Sequence, residues 1–150
     1  MASLNDYKPL RLMGADADDL SVISACMQDS VMKLGDMAFL PDERRFALVA
    51  NRFVWECAAD RRVGPFARVR AGLHFDDVTA CRFQHLRTDA DDSVVDLLSV
   101  AFEESNDGAG VILLHFAGGA AVRLEVESVN AYLRDMSDPW RTRAMPRHDR

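Results

Sequence analysis

Cysteine is scarce in this chain. The three present, Cys26, Cys57 and Cys81, are odd in number and widely spaced, which excludes the disulfide framework that holds small secreted domains together. No Cys-x-x-Cys occurs, and the histidines His74, His85, His115 and His148 include no His-x-x-x-His pair. The chain therefore writes out no zinc site, and neither metal nor cofactor is expected. A Gly-x-Ser-x-Gly elbow is missing too. Ala117-Gly118-Gly119-Ala120 is too short to cradle a phosphate and precedes a strand pattern, not a helix. The Asp-Ala-Asp-Asp segments at 16–19 and 89–92 lack the glycine and distal glutamate of a calcium loop. No apolar run approaches the ~18 residues of a membrane-spanning helix. The opening Met1 to Lys8 has neither the basic start nor the apolar stretch of a secretory leader, and Ala2 stands where myristoylation needs glycine. These absences lead us to expect a cytoplasmic protein without membrane contact.

An excess of positive charge is absent as well. With a formal net charge of −6, the chain lacks the basic balance of a nucleic-acid module, which argues against such a partner. The charge is nevertheless laid out in blocks. Residues 1–43 carry −5, residues 44–73 carry +5, residues 74–135 carry −8 and the tail carries +2. The basic block holds Arg44, Arg45, Arg52, Arg61, Arg62, Arg68 and Arg70. It either converges on an anion or is neutralised by its acidic neighbours.

What is present is an ordinary globular composition: 150 residues, 49% hydrophobic and 28% charged. A chain of this size fits one domain that buries roughly 70% of its extended surface, so 1–150 is read as a single domain with flexible ends at 1–8 and 141–150. The clearest stretch runs from Gly110 to Met136. Two β runs flank Gly118-Gly119, where positive φ lets strands reverse. In the second run Val122, Leu124 and Val126 alternate with Arg123, Glu125 and Glu127. Val129, Tyr132, Leu133 and Met136 then fall at i, i+3, i+4 and i+7, the stripe of a short closing helix with Ser128 placed as its cap.

Upstream, residues 9–13 read as a short strand. Asp16 to Asp19 supply a cap and first-turn carboxylates for a helix with Leu20, Ile23 and Met27 on one face. Residues 32–40 are extended with a bend at Gly35, and Pro41 to Arg44 form a turn. The run 45–56 is apolar on both sides except at Asn51 and Arg52, as befits a central strand. Further strands follow at 66–73, 78–86 and 94–103. About seven or eight strands with short connections imply antiparallel pairing, and so many at this size imply a strongly bent sheet or partly open barrel. The expected fold is α+β: a pleckstrin-homology-like barrel of about seven strands with one early helix and one closing helix.

Two clusters are candidate sites. The first joins Arg52, Trp55 and Glu56 with Arg68 and Arg70. Arg68 and Arg70 share one strand face, Arg52 can pair with Glu56 or an acidic ligand, and Trp55 offers an aromatic wall. The bland alternative has that strand crossing from core to surface with Arg52 and Glu56 on its wet side. The second is a barrel-mouth pocket around Asn51, Arg52, His85 and His115, although His115 between Leu114 and Phe116 also reads as an ordinary interior histidine. Cys57 and Cys81 lack the environment of a nucleophile. No catalytic residue can be named from any of this.

Ser24 to Asp29, Arg44 to Leu48 continuing through Asn51 to Glu56, and Phe116 to Gly119 with Arg123 to Glu127 together resemble a family of uncharacterised bacterial proteins of about this length. The resemblance implies a complete cytosolic protein and no activity, cofactor or catalytic residue. The functional expectation is a non-enzymatic module that binds or scaffolds an unidentified protein partner, with homodimerisation compatible with it. The alternative is a small-ligand binder or enzyme with its pocket at the barrel mouth.

Overall fold

The computed structural model describes residues 7–57, 66–86, 90–143 and 146. Strand β1 (Arg11–Gly14) leads into α1 (Ala17–Met27), the one α-helix among the described residues. There follow β2 (Ser30–Lys33), β3 (Met37–Leu40), β4 (Arg45–Phe53), β5 (Phe66–Phe75), β6 (Val78–Gln84), β7 (Val94–Asn106), β8 (Ala109–Phe116), β9 (Ala121–Val126), β10 (Ala131–Asp135) and β11 (Trp140–Thr142). The helix starts where its chemistry starts it. Asp16 is extended, its side chain accepts the Asp19 N–H at 2.8 Å, and Asp18 and Asp19 oppose the positive end of the dipole. Leu20, Ile23 and Met27 are its buried face.

The strands form one sheet in the order β1-β10-β5-β4-β2-β7-β8-β9-β6, with β11 added to β5 and β3 to β4, and every ladder is antiparallel. Alternation sends Phe46, Leu48 and Ala50 of β4, Ala71, Leu73 and Phe75 of β5, Ile112 and Leu114 of β8, and Val122 and Leu124 of β9 to the inside. There they meet the buried stripe of α1 in one continuous core. The sheet curls far enough that the Val78 N–H donates to the Arg44 carbonyl at 2.9 Å and the Phe46 and Phe83 rings stand 6.5 Å apart. No ladder joins its ends, so it does not close.

This corrects the expected fold. The molecule is not a seven-stranded pleckstrin-homology-like barrel with a closing helix; it is a single open sheet of eleven strands around one early helix. The stretch read as that closing helix is β10. Its inward residues are Ala131, Leu133 and Asp135, and its outward ones Tyr132 and Arg134. A period of two was present, but a carboxylate occupies one of the three interior positions, and the apolar residues left over fell by coincidence on a helical spacing. Ser128 caps nothing; its hydroxyl donates to Asp77 Oδ2 at 3.0 Å. The strand count rose because the segment 30–40 is two strands separated by a 3-10 turn at Leu34–Asp36, and because β10 and β11 replace helix and tail.

Candidate functional site

Asp135 in an interior strand position requires a cation, and β4 supplies it. Arg52 is fully buried, and its five donors all have acceptors. Nε and Nη2 donate to the two Asp135 oxygens at 2.8 Å each, Nη1 and Nη2 to Glu56 at 3.1 and 2.8 Å, and Nη1 also to the Phe53 carbonyl at 3.4 Å. Asp135 Oδ2 further accepts from the Tyr7 hydroxyl at 2.6 Å and the Leu10 N–H at 2.9 Å. Burial alone would raise the Asp135 carboxyl, but the bonds from Arg52, Leu10 and Tyr7 outweigh it and hold the group below the usual carboxylate range. A guanidinium with every donor used is a structural clamp, and it ties the segment before β1 to β10 and β4.

The other residues read from the sequence are distributed as follows. Trp55 donates from Nε1 to the Gln28 carbonyl at 2.9 Å and meets Phe53 edge-on at 4.6 Å. Arg68 donates to the Asp29 and Asn51 carbonyls at 3.1 and 2.9 Å and lies 5.8 Å over the Phe53 ring. Arg70 is exposed on the outer face beside Asn51. His85 and His115 are both exposed; His115 lies on β8, with β2 and β7 between it and β4, and His85 follows β6, which curls back to meet the start of β4 at Arg44 and Phe46. His115 thus stands outside, while alternation turns its neighbours Leu114 and Phe116 inward.

Three arginines of the basic block, Arg44, Arg45 and Arg52, are paired with carboxylates within the molecule. Arg44 pairs with Glu127, and Arg45 with Asp76 at 2.7 Å, while Arg61 and Arg62 lie outside the described residues. So does the Cys57 side chain. Burial raises the thiols of Cys26 and Cys81, the latter to about 11, where thiolate is negligible at neutral pH. Among the described residues no cluster of His, Cys, Asp and Glu is arranged to hold a metal.

A concavity of about 500 Å³ lies elsewhere among the described residues, on the outer face of β1, β10, β5 and β4. Two rows of cross-strand neighbours shape it. One runs Arg11, Arg134, Gly72, Val49; the next runs Met13, Tyr132, His74, Ala47. The floor is low at Gly72, Val49 and Ala47, and tall side chains rise on either side. The His74 and Tyr132 rings stack at 4.7 Å and 22°, and Met13 and Met136 stand 73% and 49% exposed at the rim. Burial first, and then Arg45, holds the His74 imidazole below its usual range, so at neutral pH this wall is uncharged. Sequence reasoning missed this groove. Reading 131–135 with a period of two would have placed Tyr132 and Arg134 together on a wet face, but nothing local announces that Arg11 becomes the neighbour of Arg134.

No curated protein and no solved structure matches the chain. A family model matches residues 10–148, from the clamp at Leu10 through the last strand. The chain belongs to the DUF2948 family of proteins of unknown function.

Proposed function

We propose that this chain is a non-enzymatic binding protein that takes a small ligand in the groove on the outer face of β1, β10, β5 and β4. The observation that carries this is the groove itself. Its volume of about 500 Å³ falls inside the range of ligand pockets, roughly 300–1,000 Å³. Its lining is that of such pockets, apolar and aromatic surface with a few polar groups at the margin. The rings and strands that build it are fixed by sheet pairing, so the ligand meets a largely preformed surface. The methionines at the rim are flexible and polarisable enough to adapt to it.

A protein partner held by Arg52, Trp55, Glu56, Arg68 and Arg70 has less support. Four of those five side chains are engaged internally, and Arg70 alone leaves its guanidinium exposed and outside any ion pair among the described residues. A pocket shared by Asn51, Arg52, His85 and His115 has less support: β2 and β7 stand between β4 and the His115 strand, and both histidines are exposed.

The test is a metabolite screen read by backbone amide shifts. Ligands should move the amides of Gly72, His74 and Tyr132. Val49→Trp, which fills the groove from its floor, should abolish those shifts while leaving the melting temperature of the free protein close to wild type. Shifts that cluster elsewhere, or that survive in the filled variant, would overturn the reading.

A further inference from the structure

Arg11 and Arg134 face each other across β1 and β10. The Asp135 N–H donates to the Leu10 carbonyl at 3.0 Å, which puts 10/135 at a hydrogen-bonding position of the ladder, with the Leu10 N–H taken by the Asp135 side chain. The next pair, 11/134, is then of the alternate type, in which opposed side chains stand closest. Like charges directly opposite one another oppose strand pairing. Both guanidiniums are exposed, and neither forms an ion pair with any described residue.

Among the described residues, two carboxylates of the neighbouring strands are already committed. Asp135, adjacent to Arg134 in sequence, points to the opposite face and is consumed by Arg52, Tyr7 and Leu10. Asp76, beyond His74, is held by Arg45. The pair is therefore left as two adjacent planar forks at the margin of an apolar groove, an arrangement suited to a planar or tetrahedral oxyanion. Next to Arg134 the floor drops at Gly72, where a Cβ would lie 3.0 Å from the Met136 sulfur. That thioether sits over the floor and can swing aside for a bulkier occupant. Charge at one end and apolar surface along the rest specify a ligand with the same polarity.

We infer that the ligand of this groove is an organic anion whose carboxylate, sulfonate or phosphate head sits between Arg11 and Arg134 and whose apolar body lies over Gly72 beside Tyr132. This rests on the binding reading above and adds the chemistry of the ligand to it.

Two fluorescent probes that share an aryl-naphthylamine body test it: the anion 1-anilinonaphthalene-8-sulfonate and the neutral N-phenyl-1-naphthylamine. The anion should bind wild type ~10-fold more tightly than the neutral probe, the factor expected of a charge-assisted contact. Arg11→Gln and Arg134→Gln should each remove most of that preference while leaving the neutral probe within about 2-fold. Added NaCl on the unmodified protein should weaken the anion and not the neutral probe, which keeps the test valid if either variant folds poorly. Equal affinity of the two probes, with the Gly72 and Tyr132 amides shifted by both, would overturn the anion assignment and leave the binding reading standing. If neither probe moves those amides, both fall.

Discussion

Arg52 is the largest side chain with no exposure at all, and its circumstances define how the molecule responds to substitution. Burying a guanidinium and a carboxylate is costly, and the cost is met only while both are present and saturated. Arg52→Leu leaves Asp135 charged in the interior without its cation, with only the Tyr7 and Leu10 donors. It should lower the unfolding free energy by about 3–5 kcal/mol, read as a drop in the urea midpoint. Acid should expose the same dependence. Because the Asp135 carboxyl is held below its ordinary value, its contribution is complete above the unfolded value of about 3.9 and is lost as pH falls through the lower folded value. Wild type should accordingly lose stability more steeply below about pH 4 than Asp135→Asn does, measured by thermal melting across the acid range. Tyr7 gives the opposite arm. Burial, and then its bond to Asp135, raises its phenol, so its contribution is intact below about pH 10 and fades above it. Tyr7→Phe should flatten the alkaline limb of the same curve.

Among the elements, those with unbroken patterns were legible. The helix α1 announced itself through Asp16 and the Leu20, Ile23, Met27 spacing. The strands β4, β5, β8 and β9 were legible from alternation or apolar continuity. The hairpin turn was legible from Gly118 and Gly119, both at positive φ. The strand β10 failed the same reading because Asp135 in an interior position makes sense only beside Arg52, 83 residues away. A further glycine carries a constraint the chain did not advertise. A Cβ on Gly110 would lie 2.1 Å from the Glu103 carbonyl oxygen and 2.9 Å from the Glu104 Cα, both backbone atoms of the facing strand at an irregularity in the β7/β8 ladder. Gly110→Ala should therefore cost about 1–3 kcal/mol, the usual penalty of overpacking, with amide shifts spread along β7 and β8. Gly72→Ala meets only the mobile end of Met136 and should stay within about 0.5 kcal/mol of wild type in the same denaturation experiment.

At the scale of the whole molecule, antiparallel pairing was readable from the short connections, whereas the strand number and the open sheet were not. The order of strands depends on which distant segments pair, and no local pattern encodes that. The groove was hidden for the same reason: its two arginines belong to segments with no tendency to attract one another. Even the charge blocks misdirected attention, since Arg44, Arg45, Arg52 and Arg68 of the basic block find internal partners, whereas the two groove arginines come from acidic surroundings. A sheet built from such remote pairings should also fold slowly for its size, over milliseconds to seconds. Stopped-flow refolding checks this.

The pairing of β1 with β10 has a consequence for how the protein comes into being. A ribosome emits the first strand well over a hundred residues before the one it must lie against, and until then that strand has no neighbour in the sheet. The recess and both of its guanidiniums therefore exist only once the chain has been made as far as β10. A metabolite lodged there would recognise only chains that include β10, and a nascent or truncated chain ending before Asp135 would be invisible to it.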